Sequence, residues 1–98
     1  METIAKQILQ YHKKYEELDK TILVENIEKY LSVKYPECSE SFEHKMKKLE
    51  EITGAKRQAA YAWVNRGRKN IKIPFVKMCI IADALDIDID KLLEQNNN

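Results

Sequence analysis

The chain has 98 residues and a formal charge of +1, with 17 Lys and Arg set against 16 Asp and Glu, and only two Gly and two Pro. That length bounds one domain with a modest core and marginal stability, and abundant Lys, Glu, Leu, Ile and Ala argue for an all-α fold of five or six helices with short connections. No apolar run approaches the ~20 residues of a membrane span, and the N-terminus alternates charge with apolar positions, so neither a membrane partner nor a signal peptide is expected and the protein is predicted to be cytoplasmic.

Residues 2–18 place Ile4, Ile8, Tyr11, Tyr15 and Leu18 on one stripe at helical period, which predicts an amphipathic helix. This N-terminal addition, residues 1–20, is expected to pack on or extend a domain running from 21 to 94, with 95–98 as a disordered tail. Asp19 or Thr21 caps a second helix from Ile22 to about Val33. Tyr35-Pro36 ends it, because a residue before proline is driven out of the α region, and residues 37–41 read as a turn. A third helix starts near Ser41 and repeats Phe42, Met46, Leu49 and Ile52 on one side. Gly54 can take the left-handed conformation that stops it.

The helix that follows, residues 56–65, has two unlike faces. Ala60, Trp63 and Val64 form an apolar stripe, which assigns Trp63 to the core and not to base stacking. Arg57, Gln58, Tyr61, Ala62 and Asn65 share the other face. After Gly67 comes a basic loop, then Pro74 as the first residue of a helix to about Leu85, apolar over more than half its circumference and predicted to be the buried centre. Asp86 to Asp90 alternates like a strand, but a lone strand has no partner. Asp88 is the expected N-cap of a last short helix, 89–94, that returns Leu92 and Leu93 to the core.

Charge is segregated along the chain. Between Glu51 and Asp83 there is no acidic residue, yet Lys56, Arg57, Arg66, Arg68, Lys69, Lys72 and Lys77 all fall there. Such a segment suits a polyanion, whose counterions are released when Lys and Arg neutralise phosphates. Arginine and glutamine can fork onto guanine and adenine edges, and the small Ala62 permits close approach, so the 56–65 helix reads as a recognition helix within a helix-turn-helix.

From Lys45 to Leu93 the sequence resembles the Cro and phage-repressor type of helix-turn-helix regulator, the Xre family. The resemblance rests on Leu49 five residues before Gly54, Trp63 nine after it, Asn65, the basic loop and Pro74, then on Ile81-Ala-Asp-Ala-Leu85 and Ile87-Asp-Ile-Asp-Lys-Leu-Leu93. It implies a lambda-repressor-like fold with base-reading positions at Lys56, Arg57, Gln58 and Ala62, and Tyr61 beside them. It also implies phosphate contacts from Asn65, Arg66, Arg68, Lys69 and Lys72. Lys56 stands where the family carries a Ser or Thr cap, so the helix start is either shifted or capped by Thr53.

Two cysteines, Cys38 and Cys79, are expected as free thiols. Cys38, His44 and His12 lack the paired spacing of a zinc site, and the Asp83 to Asp90 carboxylates lack the glycine and distal Glu of a calcium loop. No phosphate loop, nucleophile elbow or acid-base pair appears, so no enzyme activity and no cofactor is expected. The expected function is a DNA-binding transcriptional regulator, a repressor acting on double-stranded DNA as a homodimer. Candidate dimer surfaces are the Ile4, Ile8, Tyr15 stripe and the 87–93 end. The alternative is a helix-turn-helix scaffold that grips a protein partner, as an inhibitor or antirepressor from a mobile element.

Overall fold

Helix α1 (Ile4–Glu17) begins at Thr3, whose hydroxyl accepts from the Lys6 N–H, and α2 (Lys20–Lys34) begins at Asp19, whose carboxylate accepts from Thr21 N–H at 2.8 Å. Tyr35-Pro36 stops α2 as expected. The residues beyond it close into a single 3-10 turn (Pro36–Ser39), followed by α3 (Phe42–Thr53), α4 (Arg57–Val64), α5 (Phe75–Ala84) and α6 (Ile89–Leu93). The structure is a computed structural model that describes residues 3–64 and 72–95, and among these there is no strand. Its Cα radius of gyration, 13.2 Å, matches the ~13 Å of a 100-residue chain packed as one unit.

The core is built by the periodic positions. Leu23, Val24, Ile27 and Leu31 of α2, Met46 and Leu49 of α3, Ala60, Trp63 and Val64 of α4, Met78, Ile81 and Ala82 of α5, and Leu92 and Leu93 of α6 are all buried together. Helix α3 packs on the 3-10 turn, α4 and α5, while α6 rests on α1, α2 and α5. The predicted burial of Trp63 and the return of Leu92 and Leu93 both hold. Cys38, read as part of an open turn, is buried in the core instead, because the 3-10 turn folds it against α2 and α3. It and Cys79 are free thiols, and burial pushes both above the usual thiol range.

Two expected details shift, at Pro74 and along the α1 stripe, and a third, the cap at Asp88, holds in position. Pro74 lies one residue ahead of α5, at its N-cap, and its carbonyl accepts the Met78 N–H at 3.0 Å. Asp88 occupies the N-cap of α6 without a side-chain bond to it. The α1 stripe is buried only at its C-terminal end, where Tyr15 and Leu18 join the core, whereas Ile4 and Ile8 are 75% and 50% exposed. The first half of α1 therefore extends from the domain and the second half packs on it.

Helix ends are closed from across the fold. Carbonyls in the last turn of a helix lack intrahelical donors and carry partial negative charge, so a cation or amide there is favourable. Lys77 of α5 donates to Thr53 O at the end of α3, at 2.8 Å, and Lys34 of α2 donates to Ala84 O at the end of α5, at 2.7 Å. Asn26, buried in α2, donates its amide to both Leu92 O and Glu94 O, each at 2.8 Å. Helix α5 also closes locally. Asp86 is left-handed at φ 57°, and Ile87 N–H reaches back to Ala82 O at 3.1 Å, the bond pattern of a Schellman turn.

Candidate nucleic-acid interface

The turn between α3 and α4 is three residues long. Gly54 sits at φ 70°, where an L side chain is disfavoured, and its N–H closes α3 on Glu50 O at 2.8 Å. Thr53 does not cap α4. Its hydroxyl donates back to Leu49 O at 2.7 Å and accepts the Ala55 N–H at 3.2 Å, fastening the turn to α3. The first backbone bonds of α4 run from Ala59 and Ala60 N–H to the carbonyl of Lys56, so Lys56 itself stands at the helix start.

Of the expected base-reading residues, Lys56, Arg57, Gln58 and Tyr61 are exposed and Ala62 is half-buried; Gln58, Tyr61 and Ala62 lie on the side of α4 away from Ala60, Trp63 and Val64, whereas Arg57, three residues before Ala60, stands at the edge that faces α3. Lys72, the one expected phosphate contact that the structure describes, is exposed. Asn65, Arg66, Arg68 and Lys69 lie outside the described residues. Lys77, counted in the basic segment, is turned to Thr53 O and serves the fold.

Neighbours from α3 that the sequence reading did not associate with this face complete it. The Arg57 guanidinium donates through Nη2 to Glu43 Oε1, and Glu50 Oε2 lies 3.5 Å from its Nε. The Glu43 hydrogen bond, with its charge and that of Glu50, holds Arg57 above the ordinary arginine range. Phe42, expected on the inner stripe of α3, is instead partly exposed and meets Tyr61 edge-on, with ring centroids 5.7 Å apart. Phe42, Tyr61, Glu43 and Arg57, with Met46 and Gln58, line an open groove of about 490 Å³ with largely apolar walls. The exposed surface is thus cationic at Lys56, just ahead of α4, and apolar at Tyr61, with an arginine already engaged by two carboxylates.

The opposite end of the basic segment is tied to α1. Tyr15 donates its hydroxyl to the carbonyl of buried Ile73, and its ring meets Phe75 edge-on at 5.9 Å. Burial raises the Tyr15 pKa. Thus the added N-terminal helix holds the chain beside Lys72. Among the described residues no His, Cys, Asp and Glu converge in a group of three fit for a metal ion, and no helix is long and apolar enough to cross a membrane. No family model matches the chain, and no curated protein or solved structure does either.

Proposed function

We propose that this chain is a sequence-specific double-stranded DNA-binding transcriptional regulator, a repressor that acts as a homodimer and inserts α4 into the major groove. The observation that carries this reading is the exposed start of α4, where Lys56, Arg57 and Gln58 stand out just beyond a glycine turn inside a segment with no acidic residue. Guanidinium and amide groups at a helix N-terminus can reach base edges, and Lys72, with Asn65, Arg66, Arg68 and Lys69 from the sequence, would contact phosphates without reading bases. One eight-residue helix spans few base pairs, so two copies on half-sites about one helical turn apart would supply the specificity. The exposed Ile4 and Ile8 of α1 are the remaining candidate for the dimer face, since Tyr15, Leu92 and Leu93 are committed to the core.

Selection from random duplexes tests the reading. A palindromic sequence should be enriched, with affinity falling steeply as salt rises. Arg57→Ala or Gln58→Ala should weaken the selected duplex by about 1–3 kcal/mol and blur one base pair, whereas Lys72→Ala should weaken all duplexes alike. Equal losses on selected and random DNA for all three would remove the base-reading assignment. The apolar groove between Phe42 and Tyr61 favours a second reading, a scaffold that docks a protein partner on α3 and α4. A stable co-purifying protein together with no enriched duplex would put that reading first.

A further inference from the structure

We infer that Glu43 and Glu50 are positioning residues for base recognition, holding Arg57 by Nη2 and Nε so that its guanidinium plane is set before DNA arrives; this rests on the DNA-binding reading above. The two carboxylates lie seven residues apart, at opposite ends of α3, and therefore on one face of it two turns apart. Arg57 comes up between them from the first position of α4. Glu43 takes Nη2, Glu50 lies 3.5 Å from Nε, and neither contact uses Nη1. Met46, one turn from Glu43 on the same face of α3, lines the groove that Arg57 also lines, and the Phe42–Tyr61 pair flanks it. Ser41 anchors the Glu43 end by accepting the His44 N–H at 3.1 Å.

Two carboxylates on a surface meant for phosphates oppose binding by charge alone, so their presence calls for a compensating role. A guanidinium recognises guanine through two parallel N–H bonds, which demand a fixed plane as well as a fixed position. A free arginine side chain must be ordered on binding, and holding it in advance lowers that cost. Carboxylates at Nε and Nη2 restrain the plane and leave the outer edge, an Nη1–H beside the second Nη2–H, to make the two parallel bonds.

The two effects of a carboxylate predict opposite signs, which makes the proposal testable. Binding of wild type, Arg57→Ala, Glu43→Gln, Glu50→Gln and the double Glu43→Gln/Glu50→Gln variant is measured by fluorescence anisotropy. The duplexes are the selected one, its single base-pair variants, and a random one. Positioning predicts that the double variant loses roughly tenfold discrimination at the same base pair that Arg57→Ala blurs, with affinity for random duplex equal or higher. Adding the two Gln substitutions to Arg57→Ala should produce no further loss there. Tighter binding to every duplex with discrimination intact would overturn the proposal, leaving only charge repulsion. Loss at a different base pair would also overturn it, since the carboxylates would then read a base themselves. If wild type selects no sequence, the DNA reading falls and this inference with it; if wild type selects one and the Gln variants discriminate normally, only this inference falls.

Discussion

Asn26 offers the sharpest test of how the fold is closed. Its side chain is nearly inaccessible and its amide nitrogen serves two carbonyls, Leu92 O and Glu94 O, in the last helix and just beyond it. Asn26→Ala removes both bonds and orphans two acceptors in unequal settings. Leu92 is fully buried, so its carbonyl loses its partner away from water, at about 1–3 kcal/mol. Glu94 is exposed and its carbonyl can turn to solvent, so its loss is nearer ~1 kcal/mol. The total is about 2–4 kcal/mol, which for a domain of this size lowers the melting temperature by roughly 10 °C or more. Thermal and urea denaturation followed by far-ultraviolet circular dichroism measure it. Asn26→Asp adds a sign test. A carboxylate placed against two carbonyls is disfavoured when charged, so the folded-state pKa of the new Asp rises above its unfolded value. Its stability is then fully present below the unfolded pKa, near ~3.9, and lost as pH rises through the folded pKa. Asn26→Asp should therefore be the less stable variant at pH 7 and recover toward Asn26→Ala at low pH. An Asn26→Ala protein within about 0.5 kcal/mol of wild type, the range of ordinary surface substitutions, would refute the closure argument.

Trp63→Ala should destabilise the domain by about 3–5 kcal/mol through a core cavity, while Trp63→Phe should retain most stability; urea midpoints of the two separate a core role from an exposed one. Tyr15→Phe leaves the buried Ile73 carbonyl without its donor and should cost about 1–3 kcal/mol, read as a urea midpoint shift and faster amide exchange at the start of α5. The raised Tyr15 pKa means the folded state holds its phenolic proton more tightly. That contribution is present below the unfolded value, near ~10, and is lost as pH rises through the folded one, so alkaline unfolding of wild type should be steeper than that of Tyr15→Phe. Gly54→Ala meets no atom within 4 Å, yet must adopt φ 70°, so it should cost about 1–2 kcal/mol from backbone strain alone; Gly54→Asn should cost less, and equal midpoints for the two would contradict that cause.

The stop at Tyr35-Pro36, the start of α3 at Ser41 and the stop at Gly54 were all legible in the sequence, and the start of α2 was legible to within Asp19 or Thr21, of which Asp19 is the cap. Each depends on forces that act within a few residues: a side-chain oxygen reaching an N–H two or three positions on, a clash with the proline ring, a φ that only glycine adopts freely. The inner stripes were legible for a related reason, since helical period alone decides which residues share a face, and burial of Trp63, Leu92 and Leu93 follows. What period cannot say is where along a stripe the partner ends. Ile4 and Ile8 lie on the same stripe as Tyr15, but only the second half of α1, from Tyr11 on, meets the rest of the fold.

Long-range polar contacts lay beyond the sequence's reach because they join residues that only the packing brings together. Lys77 counted only as one charge of the basic segment until the end of α3 came within hydrogen-bond distance, and neither Lys34 nor Asn26 had a visible role before the ends of α5 and α6 were packed above them. Arg57 is the consequential case. Its position at the head of an exposed helix was determined locally, by Gly54 and the apolar stripe behind it. Its two carboxylate partners were decided by the tertiary fold, because Glu43 and Glu50 lie on the previous helix and reach it only when α3 and α4 fold back on each other across a three-residue turn.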